Sequence, residues 1–226
     1  MKKNYIPLAR IPDTADGIIC KDFEQGNEGD CWLLAAIKSL LIKPKGFEAL
    51  NNLIELQENG DIKIIFPFGK NRNYLITKEK MESSKNLSRG EMDVRAIEIA
   101  VDKFLEETPK VYYLSNLKGG TPQEAFEILI GNGKRYEIGD WDKFPLNEFN
   151  NKNKAFVVNS NNKDCLLVKT SKGKQIRLLG LHAYTIAGYY NDVVNIINPF
   201  NTSKIIDLPL DTFKCFFTDL NLCELE

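Results

Sequence analysis

The hydrophobic spacing of this chain changes once along its length, and that change limits the folds open to it. Up to about residue 131 apolar residues recur at helical intervals, and from about residue 155 they come in short runs broken by Asn-, Gly- and Lys-rich turns. Segment 31-CWLLAAIKSLLI-42 is apolar on most sides and stops before Pro44, which predicts a buried helix. Segment 46-GFEALNNLIELQE-58 predicts an amphipathic helix ended by Gly60, followed by a strand at 62-IKIIF-66. Val94, Ile97, Val101, Phe104 and Leu105 share one face of a third helix over roughly residues 91 to 107. In 121-TPQEAFEILI-130, Thr121 reads as N-cap, Pro122 sits in the first turn, Glu124 completes a capping box, and Gly131 and Gly133 end the helix. The runs 155-AFVVN-159, 165-CLLVK-169, 175-QIRLL-179, 183-AYTIAGYY-190 and 193-VVNIIN-198 predict a meander of antiparallel strands. A short helix near 210-LDTFKCFF-217 is expected to close the chain. The fold class is therefore α+β, with a helical part over residues 1–135 and a β-rich part over 136–226.

Composition narrows the chemistry. The 226 residues suffice for one large core or two small lobes. A formal net charge of −1 gives no electrostatic footprint for nucleic acid. No apolar stretch is long enough to span a bilayer, so no membrane partner is expected. The start MKKNYIPLARIP is basic but lacks the apolar segment of a Sec signal, while a processed chain or a non-Sec export route leaves no such mark. The five cysteines form no CxxC pair and are odd in number, which argues against a disulfide scaffold and for a cytoplasmic or otherwise reducing compartment. Histidine occurs once, so a zinc site built from several histidines is excluded and any imidazole base has to be His182.

Cys31 follows 25-QGNEGD-30 and opens the apolar helix, where free backbone N–H groups and the positive dipole end favour thiolate over thiol. Two glycines in that approach are read as allowing a tight turn. Taken alone, Cys31 could equally be a core cysteine, and His182 in 180-GLHAYTIAGYY-190 an ordinary strand-end histidine. Asn198 ends the following strand in 193-VVNIINPF-200, and taken alone it reads as a turn residue. A two-residue turn at 191-ND-192 would pair the two strands and bring His182 beside Asn198, whose amide oxygen can hold the imidazole ring. Thiol, imidazole and amide thus occur in the order that papain-like enzymes use, with the histidine about 150 residues past the cysteine.

These residues also carry a family resemblance. The stretch 25-QGNEGDCWLLAAIKSL-40 is very similar to the active-site segment of calpains. Downstream, 119-GGTPQEAFEILIG-131, 182-HAYTIAGY-189, 197-INPF-200 and 213-FKCFFTDLNLCEL-225 resemble later calpain core segments in family order. The resemblance implies a papain-like, two-lobed cysteine protease with a protein or peptide substrate in the interlobe cleft. It implies Cys31 as nucleophile, His182 as general base and acid, and Asn198 as orienter. It implies Gln25 as an oxyanion-hole donor beside the Cys31 N–H, and Trp32 as a residue packed beneath the nucleophile.

The chain departs from the calpain pattern at Phe200, where calpains carry Trp, and at Leu181, where they carry Gly. Leu181 is expected to reshape the cleft near the scissile residue. Of the calcium ligands that the family implies, Gly17 and Asp22 fall at matching positions, but Ser115 replaces an acidic residue. The loop 201-NTSKII-206 has no carboxylate before Asp207, although calcium takes six to eight oxygens. No cofactor is therefore expected to be required, the second calcium site is expected to be absent, and the first weak or lost. Nothing in the chain resembles calpain's calcium-sensing and membrane-binding modules, so the expectation is permanent activity or control by a partner or by further parts of a longer chain. A thiol acyltransferase, deamidase or transglutaminase-like enzyme on the same scaffold shares the thioacyl chemistry. A non-catalytic binding module is the other alternative.

Overall fold

A computed structural model describes residues 15–19, 22–67, 72–108, 116–160 and 164–226. Ser115, named above, and Cys20, one of the five cysteines, lie outside these residues. The architecture is mixed α and antiparallel β.

Helix α1 (Cys31–Leu41) runs through the centre, with almost every residue after Cys31 buried. It packs on α2 (Pro44–Asn51). The expected helix over 46–58 stops early. Beyond Leu53, strand β1 (Ile54–Leu56) pairs with β2 (Ile62–Ile65) across a turn in which Gly60 takes φ +84°. The apolar residues there fit both periods, and pairing with β2 decides between them. Strand β3 (Asn73–Ile76) completes this small sheet. It leads through α3 (Lys78–Ser83) to the long α4 (Met92–Glu107). Helix α5 (Pro122–Ile130) has the capping box between Thr121 and Glu124, and it ends at Gly131 with φ +97°.

The second half is built on a six-stranded antiparallel sheet. Its strands are β4 (Lys134–Glu137), β5 (Lys154–Asn159), β8 (Ala183–Tyr190), β9 (Val193–Asn198), β10 (Asn201–Pro209) and β11 (Asp219–Glu224), in the order β10-β9-β8-β5-β11-β4. The predicted meander is corrected in one respect. Strands β6 (Leu166–Lys169) and β7 (Gln175–Leu178) form a separate hairpin, and β5 pairs with β8 instead. Nor does a helix close the chain. Helix α6 (Leu210–Phe216) is followed by β11, which lies inside the sheet between β5 and β4.

The central strands β5 and β8 are buried on both faces, which is why they read as continuous apolar runs rather than clean alternations. Ala155 and Val157 of β5, Ala183 of β8 and Cys223 of β11 face the helical core around α1. Their neighbours Phe156, Val158, Tyr184, Ile186, Leu220 and Leu222 face a second core with Trp141, Phe149, Phe213 and Phe217. Each large apolar side chain so buried contributes roughly 1.5–3 kcal/mol. The Thr185 hydroxyl donates to the Ala35 carbonyl at 2.6 Å, tying the middle of β8 to the middle of α1. That contact sets His182, just before β8, level with Cys31 at the start of α1.

Candidate active site

Strands β8 and β9 are joined at Asn191 and Asp192, with φ values of +49° and +56°, the backbone of a type I′ turn. The resulting register pairs Tyr190 with Val193 and, beyond a bulge between Ile186 and Gly188, Thr185 with Ile197. His182 and Asn198 therefore meet, with Nε2 2.9 Å from the Asn198 Oδ1. That oxygen also accepts the Phe200 backbone N–H at 3.0 Å, which fixes the amide orientation. Because Oδ1 only accepts, Nε2 carries the imidazole hydrogen and Nδ1 is the basic nitrogen. The Phe200 ring stacks on His182 with centroids 5.3 Å apart and planes 10° from parallel, while Tyr184 meets it edge-on at 5.0 Å. Phe200 thus covers one face of the imidazole without an indole.

Cys31 begins α1, and its sulfur lies within hydrogen-bonding reach of the Ala183 N–H, next in sequence to His182. The structure therefore brings Cys31, His182 and Asn198 to one place. Burial pushes the Cys31 thiol up, assisted by the charge on Asp30, against the opposing pull of the Ala183, Trp32 and Cys31 backbone N–H groups. Burial likewise pushes the His182 imidazole down, against the bond to Asn198. The helix N-terminus alone argues for an easy thiolate, whereas burial opposes the charged form of both groups.

Gln25 lies on the approach to Cys31 and is buried. Its Nε2 donates to the Glu28 carbonyl at 2.9 Å and to Asp30 Oδ1 at 3.1 Å. Its Oε1 has no partner among the described residues. An amide has two N–H donors. Gln25 therefore serves an oxyanion only when one inward bond is released.

The approach segment is tied directly to the loop after Asn198. The Gln25 N–H donates to the Pro199 carbonyl at 2.8 Å. The Thr202 hydroxyl accepts the Phe23 N–H at 2.8 Å and donates to the Phe23 carbonyl at 2.6 Å. Gly26 exists for close approach rather than for an unusual turn. A Cβ there would lie 2.0 Å from the Asn86 carbonyl oxygen and 2.3 Å from that of Leu87. Trp32 donates its indole N–H to the Leu117 carbonyl at 3.0 Å, and its ring lies against Gly120, where a Cβ would come within 2.5 Å.

Leu181 is 63% exposed and holds φ +48°, a left-handed backbone that costs a side-chain-bearing residue free energy. Leu181→Gly is expected to raise stability by about 0.5–1 kcal/mol, since relief of strain exceeds the added chain entropy. Urea unfolding midpoints of the two proteins check this, and a fall in the midpoint would contradict it.

At the expected calcium positions, Asp22 is bonded by the Lys38 ammonium at 2.6 Å. The Gly17 N–H donates to the Asp93 carboxylate at 3.0 Å. Three residues close to the site were not singled out in the sequence: Asp30, Glu98 and Lys38. A readable signal existed for Glu98, an acidic residue four positions after Val94 on the apolar face of α4.

The profile of calpain family cysteine proteases matches residues 11–206 of the chain. No curated protein matches it.

Proposed function

Because this chain belongs to the calpain family of cysteine proteases, we propose that it is an endopeptidase working through a Cys31–His182–Asn198 triad. The observation that carries the reading is the 2.9 Å bond from His182 Nε2 to Asn198 Oδ1, at a strand start that also brings the Ala183 N–H to the Cys31 sulfur. We take the molecule as papain-like and two-lobed, with residues 1–135 supplying the thiol and 136–226 supplying the imidazole and amide. A protein or peptide substrate lies in the cleft between them.

In this reading His182 Nδ1 takes the Cys31 proton as sulfur attacks the scissile carbonyl carbon and a C–S bond forms. The oxyanion is held by the Cys31 N–H, unpaired by position at the first turn of α1, and by one Gln25 N–H turned outward from Asp30 or Glu28. The imidazolium then gives its proton to the departing amine as the C–N bond breaks, leaving a thioacyl enzyme. Water attacks that carbonyl, His182 takes a water proton, the C–S bond breaks, and the thiol is restored.

Calcium has no part in this proposal. Among the described residues no cluster of three or more acidic, histidine or cysteine side chains suits a metal. A hard dication needs several free oxygens, and Asp22, the one carboxylate at a matching position, is engaged by Lys38. The contacts of Phe23 with Thr202 and of Gln25 with Pro199 supply the alignment of the two halves instead. The test is the initial rate of hydrolysis of a casein-type substrate under reducing conditions, in chelator and in added calcium. The two rates are expected to agree within about twofold, since an ion stabilises only a state that offers it ligands. Activity lost in chelator and restored by calcium would overturn the calcium reading. Silence in both, with Cys31 still alkylatable, would overturn hydrolysis in favour of acyl transfer.

A further inference from the structure

We propose that Asp30 and Glu98 form a buried carboxyl pair sharing a single proton, carried at neutral pH by Glu98, and that this pair positions Gln25 and limits the negative charge behind Cys31. The inference deepens the reading of Cys31 as nucleophile and Gln25 as its neighbouring donor, and it rests on that reading.

Both side chains have zero exposure. Asp30 occupies the N-cap of α1, where an aspartate ordinarily accepts a backbone N–H of the first turn. Here it makes no such bond. Its carboxyl is turned inward instead, with Oδ1 accepting from Gln25 Nε2 at 3.1 Å and Oδ2 lacking any donor among the described residues. Glu98, from the inner face of α4, lies within hydrogen-bonding reach of Asp30. Its two oxygens each accept the Ser88 N–H at 3.1 Å, and Oε2 also accepts the Ser88 hydroxyl.

Two ionised carboxylates in contact in a dry interior repel strongly, and one proton resolves this. It also supplies the missing donor: a protonated Glu98 gives its O–H to Asp30 Oδ2, which removes an otherwise costly orphan. The charge stays on Asp30 because that carboxylate sits at the positive end of α1 and accepts the Gln25 amide. Burial, then the charge of Asp30, hold the Glu98 carboxyl well above its ordinary range. Burial raises Asp30 as well, and the Glu28 charge adds to this. The other charged residues around the pair are Arg95, which donates to the Ser88 and Met81 carbonyls, and the buried Glu91 at the N-cap of α4. On α1 the pair backs onto Cys31, whose thiol the Asp30 charge already pushes up. A second charge on Glu98 would push it further and would set another acceptor beside the Gln25 amide.

Glu98→Gln keeps the shape and the donor toward Asp30 but cannot ionise. A carboxyl held above its unfolded-state range stabilises the fold fully below that range, and the contribution is lost as pH rises through the folded value. Glu98→Gln is therefore expected to gain stability relative to the natural protein as pH rises from about 5 to about 8, read by urea unfolding. Asp30→Asn, which removes the neighbouring charge, is expected to reduce the pH slope of the natural protein. The second readout is iodoacetamide alkylation of Cys31 against pH, followed at the Cys31 peptide, where Glu98→Gln, neutral like the protonated carboxyl it replaces, is expected to leave the midpoint unmoved and Asp30→Asn, which removes the charge, to move it to lower pH. A stability difference that is flat or of opposite sign would overturn the shared proton, and a midpoint lowered by Glu98→Gln as far as by Asp30→Asn would overturn the neutral state of Glu98 behind the thiol. Neither readout requires peptide cleavage, so a failure of the protease reading is seen separately.

Discussion

Cys31→Ala is expected to remove peptide cleavage to the background of the assay, a loss on the order of 10⁴-fold or more, and His182→Ala is expected to do the same. The sulfur is the atom to which the acyl group bonds, and His182 is the chain's one imidazole, so nothing else can take the proton. The double variant should be no worse than either single one, because the two residues act as a unit. Asn198→Ala should cost less, about 10–100-fold, because the ring stays stacked on Phe200 while losing the acceptor that fixes its tautomer. Cys31 is only partly buried and is the first residue of a well-packed helix, so Cys31→Ala should change stability by no more than about 1 kcal/mol. The measurement is kcat/KM on a peptide substrate together with an unfolding curve for each variant. Retained cleavage in folded Cys31→Ala would exclude the mechanism.

The second large effect is expected at Gly26, a residue with no side chain to take part in bond making. Gly26→Ala introduces a Cβ 2.0 Å from one carbonyl oxygen and 2.3 Å from another, both backbone atoms that cannot rotate away. The strand-like contact of Glu24 with Arg89 and the Asn27 N–H bond to the Asn86 carbonyl hold that neighbouring segment in place. The approach loop must then move outward, carrying Gln25 off Pro199 and Asp30. The expected cost is about 3 kcal/mol or more of stability, with a fall of about 100-fold in kcat/KM from displaced donors. Gly29→Ala serves as the control, because a Cβ there meets only ordinary contacts at 3.7 Å and beyond. Equal behaviour of the two variants would show that the close approach at Gly26 is not the cause.

What the sequence determined by itself is what depends on near neighbours. Thr121, Pro122, Glu124 and Gly131 define both ends of α5 because caps act within one turn. Asn191 and Asp192 define the β8–β9 hairpin because their side chains tolerate left-handed backbone, and the hairpin register then brings Asn198 to His182. The meeting of His182 with Asn198 was legible for this reason. Only the tertiary structure decided the rest. Residues 46–58 divide between helix and strand because β2 offers β1 a partner. Segment 219–224 becomes a central strand because β5 and β4 pair with it on either side, and its Asp219 and Asn221 are buried where the Arg135 guanidinium and the Gln123 N–H meet them. The need for glycine at position 26 comes from carbonyls some sixty residues downstream in sequence. The upward push on the Cys31 thiol and on the Asp30 and Glu98 carboxyls, and the downward push on the His182 imidazole, come first from burial, which is set by packing rather than by spacing.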